Sequence, residues 1–483
     1  MQIVPTTLIA VLAALFVLRL GPVRGLWVLF ASLPLGVAAA INLPALGGAS
    51  IVLADAVTVT LVGVLLLQRG AMGRVLRTLR VPSPAFLMLL LFLYAIFATL
   101  FFPRIFAGSI EVFGIARTAG QIGIVSTPLT PSAGNVTQLF RFTLGVMIFL
   151  TLATAFGRTP DPNAVLKALV IDAVVHVSLG FSEVILFTIG QSQIFDFIRT
   201  ANYAMATNHL MAGMKRMVGG FPEASSFGYH TLGLFGFWMQ YWFDRGSYRH
   251  AQWMLLGAFI VLILSTSTSA YLASAFFLCA FAAANYRRVI TSNVKTHIAW
   301  ILAGGLTLLP IACAALVVAY QAIPDVTAYF DRMLFNKLSS DSGVERMSWN
   351  RQAFQNFTDT WMIGAGLGSV RASNWLVACL ASLGAVGTFL FLAVLYSLAR
   401  APVPEDWRET AIVIRSLKSG CLALLLGALI TTPTPNLGIA FFAMAGAITG
   451  LSAGAARLGQ ASRQRLRSAP GGGATFQEWV ERK

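Results

Sequence analysis

Charge is what this chain has little of. Only 11% of its 483 residues are Asp, Glu, Lys or Arg, against roughly 25% in an average soluble domain. Hydrophobic residues make up 57%, and the mean hydropathy is +0.76. A composition so poor in charge excludes an ordinary soluble globule. Paired cysteines are missing too: Cys279, Cys313, Cys379 and Cys421 all lie in apolar runs without Cys-x-x-Cys spacing, and read as inert core thiols. There is no Asp-x-Asp pair and no His/Cys/Asp cluster at metal-ligand spacing, so no metal and no cofactor is expected. The opening residues MQIVPTTLIAVLAALFVLRL lack a basic start and a small-residue cleavage motif, and read as a retained helix.

Long apolar runs are what is there. Thirteen are counted, near 3–18, 26–43, 50–67, 84–102, 140–157, 166–189, 223–243, 252–265, 268–285, 298–320, 373–399, 413–431 and 436–454. Most approach the roughly 20 residues needed to cross a hydrocarbon core of about 30 Å. The expected fold is all-α, a polytopic transmembrane bundle of about 13 helices over residues 1–454. A flexible basic tail would follow at 455–483.

The net charge of +16 would suggest nucleic acid in a soluble protein, but here placement matters more than number. Alternate loops hold 23 of the 34 Lys and Arg, among them Arg69, Arg74, Arg77, Arg80, Arg158 and Arg400. By the positive-inside bias that side is cytoplasmic, with the N-terminus outside and the C-terminus inside. No nucleic-acid partner is expected. The other eleven cations cluster in three long outward loops, about 103–139, 190–222 and 321–372, where function is to be sought.

The first loop, IARTAGQIGIVSTPLTPSAGN, carries Arg117 and reads as a mobile flap. The second ends in KRMVGGFPEASSFGYH, where Lys215 and Arg216 stand beside a helix N-terminus, and Gly219 and Gly220 would let backbone approach a ligand. That combination suits an anion; a snorkelling Lys-Arg pair before a helix start is the plainer alternative. In the third loop Met347, Phe354, Phe357 and Trp361 recur at spacings that predict a surface helix with one apolar face; Arg346 and Asn350, four apart, share a face, with Arg351 flanking it. GAGLGS then reads as a flexible turn; without a following Lys-Ser/Thr or a preceding strand it is no nucleotide loop. Within the apolar runs, Asp172, His176 and Glu183 share one helical face and Asp55 is a further buried acid. They are compatible with a proton relay or with a structural Asp172–His176 contact.

These residues resemble a family. R-x-x-G-x-F-x-E-x-S-x-F at 216–227, STSTSAYL at 265–272, R-x-x-W at 346–349, GAGLGS, SNWL and the Gly-rich ASLGAVGTF are similar to the O-antigen polymerase and ligase superfamily. The resemblance covers roughly residues 200–395. It implies a multi-pass glycosyltransferase of the bacterial inner membrane, acting on the periplasmic side on a glycan carried by undecaprenyl diphosphate. Donor and acceptor glycans on that polyprenyl diphosphate, membrane lipid, a chain-length regulator and a flippase are the implied partners. The segment VRASNWL lacks the His that ligase members usually carry there, which favours a polymerase of O-antigen or exopolysaccharide repeats. A ligase and a polysaccharide or lipid transporter stay as alternatives.

Such a transfer draws on the donor's own glycosyl diphosphate bond, and cations fixed where the departing charge grows lower its barrier. Arg216 and Arg346 are expected there as catalytic residues, with Lys215, Arg351, Arg371 and Asn374 binding substrate. Glu223 is the expected general base, with His209 and His230 in reserve.

Overall fold

The computed structural model describes residues 1–44, 48–118, 121–203, 205–207, 210–211, 214–291, 318, 320–324, 327, 341–404 and 406–468. The described chain is mainly helical: α1 (Thr6–Arg24), α2 (Leu26–Ser32), α3 (Leu53–Leu66), α4 (Ala71–Thr78), α5 (Pro84–Ile105), α6 (Ala133–Arg158) and α7 (Pro162–Thr188) form the first half. In the second half lie α8 (Ala224–Phe243), α9 (Ala251–Leu264), α10 (Thr268–Thr291), α11 (Asp341–Asp359), α12 (Trp375–Ala399), α13 (Arg408–Thr431) and α14 (Gly438–Ser468). Among the described residues eight helices are long and apolar enough to cross a membrane, or nine if α3 and α4 form one span bent by 107°. The protein is therefore a multi-pass membrane protein.

The thirteen apolar runs do not all become spanning helices. The run at 26–43 forms the seven-residue α2 and then enters a two-stranded sheet of β1 (Ala39–Leu43) and β2 (Ala49–Val52). Pro34 lies between them, where its ring and missing N–H oppose a continuing helix. The run at 252–265 is the 14-residue α9, and 298–320 falls almost wholly outside the described residues. Helix α14 continues to Ser468, well past the expected start of the tail, while 469–483 lie outside the described residues. Cys379 and Cys421 are buried but Cys279 is exposed on α10, and Cys313 lies outside the described residues.

Close packing in an apolar solvent needs small residues at the contact, because hydrophobicity itself no longer drives helices together. Gly446, Gly450 and Gly454, four apart on α14, meet that need: a Cβ on each would fall 2.5, 2.7 and 2.6 Å from Phe149 O, Phe156 Cβ and Phe156 O of α6. Helix α8 runs through the core with Phe227, Phe237, Trp238 and Tyr241 fully buried, packed against α9 and α13. Gly228 on α8 admits the Ser265–Ser267 turn between α9 and α10, since a Cβ there would meet Ala270 Cβ at 2.7 Å and Ser265 Oγ at 3.4 Å.

The first long loop is a hairpin, where a mobile flap was expected. Strands β3 (Glu111–Thr118) and β4 (Gln121–Pro128) pair antiparallel in continuous register from Glu111↔Pro128 to Thr118↔Gln121. GAGLGS likewise is no free turn. Ala365 N donates to Ala381 O at 2.8 Å and Gly366 N to Ser382 O at 2.9 Å, and Ala365 and Leu367 are buried. Helix α12 breaks at Gly384 (φ 66°, ψ −170°) to receive this segment. A Cβ on Gly384 would lie 2.0 Å from Ile363 O, and its positive φ is open mainly to glycine. Gly384→Ala should therefore lower stability by about 1–3 kcal/mol. Gly63→Ala, with nothing near its Cβ, should leave the melting temperature unchanged; equal behaviour of the two variants in detergent would refute the packing argument.

Candidate functional site

Glu183, near the end of α7, organises the second long loop. Its Oε1 accepts from Arg199 Nη2 and Lys215 Nζ, each at 2.8 Å, and its Oε2 accepts from the backbone N–H groups of Val218 and Gly219, also at 2.8 Å. Lys215 donates further to Thr207 O and Arg216 O, at 2.6 and 3.0 Å. All three ammonium protons are thus used by the protein itself, which makes Lys215 a fastener of the loop. The glycine pair serves the same end. A Cβ on Gly220 would fall 2.3 Å from Pro34 O, and Gly220 O accepts from Val37 N at 3.0 Å, so the backbone approached is the protein's own.

The rest of the sequence motif then falls into place around that anchor. Arg216 is half-buried and donates through Nε and Nη2 to Thr266 Oγ1 and Thr266 O, both at 3.3 Å, which ties it to the Ser265–Ser267 turn. Glu223 occupies the N-cap position of α8 without capping it. Its exposed carboxylate accepts from the hydroxyls of Ser225 and Ser226.

Arg371 stands at the end of the third loop. Surrounding protein holds its guanidinium below the usual arginine range, and the nearby Glu345 and Glu223 carboxylates act to raise it. The side chain nevertheless reaches solvent. Its guanidinium stands 5.7 Å from the centre of the Trp349 ring, within cation–π range. Trp349 Nε1 donates to Glu345 Oε1 at 3.2 Å, and the Phe113 ring of β3 meets Trp349 edge-on at 5.9 Å. The hairpin is fixed to the same helix, for Glu111 O accepts from Gln352 Nε2 and Asn356 Nδ2 at 2.9 and 2.6 Å. The first and third long loops are therefore joined directly, and Arg371 of the third lies within electrostatic reach of Glu223 at the end of the second.

Other expected residues sit differently. Arg346, beside Glu345 on α11, is half-buried and has no hydrogen-bond or ion-pair partner among the described residues. Arg351 is exposed and lies about 140° round the helix from Arg346, so these two cations do not share a face. Of the apolar face predicted for this helix, Phe357 is packed, in a stripe with Trp349, Ala353, Asn356 and Thr360, whereas Met347, Phe354 and Trp361 are 58%, 51% and 82% exposed. Asn374 caps α12, its Oδ1 accepting from Leu376 N and Val377 N at 2.9 and 3.2 Å. Asn350 Oδ1 accepts from Ser373 N at 2.7 Å.

The buried polar face of α7 is paired otherwise than expected. Asp172 Oδ1 takes His230 Nε2 at 2.8 Å, not His176. His176 Nε2 instead lies 2.7 Å from Thr231 Oγ1, and its ring stacks on Phe227 at 4.2 Å. His230, a reserve base, is buried in that pair, and His209 lies outside the described residues. Asp55 keeps company with Arg141 and Tyr203, whose hydroxyl burial pushes up to about 12. Among the described residues no group of three or more His, Cys, Asp and Glu could hold a metal ion.

Glu345 and Trp349 were not singled out from the sequence as site residues, although Glu345 precedes the R-x-x-W motif and Trp349 ends it. The anchoring role of Glu183 has no local signal at all, because its partners lie 16 to 36 positions away. No family model matches the chain, and no curated protein matches it.

Proposed function

We propose that this protein is an inner-membrane glycosyltransferase that joins oligosaccharide repeat units carried on a polyprenyl diphosphate, on the periplasmic face where the long loops lie. The observation that carries this reading is Arg371, an exposed guanidinium over the Trp349 ring that lies within electrostatic reach of the Glu345 and Glu223 carboxylates. An arginine fork matches phosphate oxygens bidentately. Arg371 holds the donor diphosphate, with Arg346 beside it on α11 and Arg216 held at the Ser265–Ser267 turn.

The acceptor sugar's hydroxyl attacks the anomeric carbon of the donor glycan. The bond from that carbon to the diphosphate oxygen breaks, a glycosidic bond forms, polyprenyl diphosphate departs, and Glu223 takes the hydroxyl proton. As the anionic diphosphate separates, the arginines stabilise it more than they stabilise the intact donor, which is the requirement for catalysis.

The test is reconstitution of the full chain with a lipid-linked oligosaccharide. A ladder of lengthening products is expected; a single new conjugate on a lipid acceptor would identify a ligase, and intact substrate carried across the bilayer a flippase. Glu223→Gln should slow ladder formation about 10²–10⁴-fold, the range typical of general-base loss. Extension by this variant at the parental rate would remove Glu223 from the mechanism.

A further inference from the structure

The end of the bundle away from Arg371 carries a second site. Helices α6 and α12 each connect the two ends: α6 begins beside the GAGLGS segment and ends at Arg158, and α12 begins just after Arg371 and ends at Ala399. There a cavity of about 1040 Å³ opens between α4, α5, α6, α12 and α14. That volume is at the upper end of the roughly 300–1,000 Å³ of small-molecule sites. Seven arginines line it: Arg69, Arg74, Arg77, Arg80, Arg158, Arg400 and Arg457. No Asp or Glu is among the lining residues.

Local hydrogen bonds to neutral acceptors orient several of these guanidiniums. Arg74 Nη1 donates to Arg69 O at 2.7 Å and its Nη2 to Gln68 Oε1 at 3.0 Å. Arg77 Nε donates to Gly73 O at 3.1 Å, and Arg457 Nη2 to Arg158 O at 2.7 Å. None of the seven forms an ion pair among the described residues. So many like charges around one cavity repel each other unless an anion joins them, and planar forks are suited to phosphate.

The surroundings say which kind of phosphate. After the 107° bend from α3, α4 carries Met72 and Leu76, one turn apart and 62% and 61% exposed, next to Arg74 and Arg77. That is the pattern of a helix lying at the headgroup level of a bilayer. The cavity wall continues onto Ala153 of α6 and Ala453 and Ala456 of α14, apolar surface along spanning helices where acyl chains run. Basic pockets between helices on the cytoplasmic side suit anionic phospholipid headgroups, and this is the side the positive-inside bias assigns to the cytoplasm.

We infer that this cavity is a binding site for an anionic phospholipid with two phosphates in its headgroup, of the diphosphatidylglycerol type. Native mass spectrometry of the detergent-purified full chain tests it, with diphosphatidylglycerol, zwitterionic phosphatidylethanolamine and inorganic pyrophosphate as probes. The intact protein should bind one diphosphatidylglycerol at least tenfold more tightly than phosphatidylethanolamine. The triple variant R74Q/R77Q/R158Q should lose at least tenfold of that affinity while its lipid-free melting temperature stays level or rises, because repulsion is relieved. Arg400→Gln alone should lose severalfold, which keeps the test valid should the triple variant fold poorly. Undiminished lipid binding by both variants overturns the proposal. So does pyrophosphate that displaces the lipid at equal concentration, which would make the site one for a soluble anion.

Discussion

Glu183→Ala is expected to destabilise the protein by about 3–5 kcal/mol, the usual effect of breaking a buried ion pair by removing one partner. The magnitude follows from what remains. The Arg199 and Lys215 side chains are 9% and 5% exposed, so two cations would lose their common counter-charge where water is scarce. Two backbone N–H groups, of Val218 and Gly219, would lose their acceptor as well. Thermal unfolding in detergent measures the loss. Removing both cations along with the carboxylate, as R199L/K215M/E183L, should recover much of it, since a buried charge network can be replaced by apolar groups of similar volume at little cost. A Glu183→Ala protein as stable as the parent would show that the second loop is held by other means.

Arg371→Ala is the second large effect, and it should fall on rate. Loss of one well-placed donor to a developing anion typically lowers turnover by 10²–10³. Arg371 reaches solvent and makes no ion pair at close range among the described residues, so the fold should tolerate its removal. The signature is a fall in both kcat and kcat/KM for ladder formation at constant melting temperature, which marks an interaction made chiefly in the transition state. Arg371→Lys keeps the charge without the fork and should recover only part of the rate. A variant that loses only KM would place Arg371 in substrate binding alone, and one with parental kinetics would move the diphosphate elsewhere.

Much of the architecture is written in local pattern. Runs such as 84–102 and 373–399 are long and apolar, and they became α5 and α12 because nothing local competes with the helix. Hydropathy cannot distinguish such a run from 26–43, where Pro34 and the pairing of β1 with β2 override it. The hairpin in the first loop was obscured because its Gly, Thr and Pro content imitates a flexible segment, although EVFGIART and QIGIVSTP do contain β-branched residues able to pair. On α11 hydrophobic residues lie on both faces, Met347 and Phe354 outward and Trp349 and Phe357 inward, and the packed stripe includes Asn356, so a hydrophobicity pattern does not single out the packed face. As for the site, the loops that hold Arg216, Glu223, Arg346 and Arg371 were legible from charge placement. The pairings of the buried polar residues were not, because Asp172 and His230 are brought together only by tertiary packing.

The shortness of α9 has a consequence for where chemistry takes place relative to lipid. Fourteen residues rise about 21 Å, roughly 9 Å less than a hydrocarbon core of about 30 Å. The Ser265–Ser267 turn that follows packs at Gly228, five residues and about 7.5 Å into α8 from Glu223. Both measures set the turn, and the Arg216 bonded to it, back from the helix end that Glu223 marks. On the proposed function, a bilayer thinned or wetted around α9 to meet this mismatch would let a polyprenol's phosphates reach Arg216 without their chain being drawn out of the hydrocarbon.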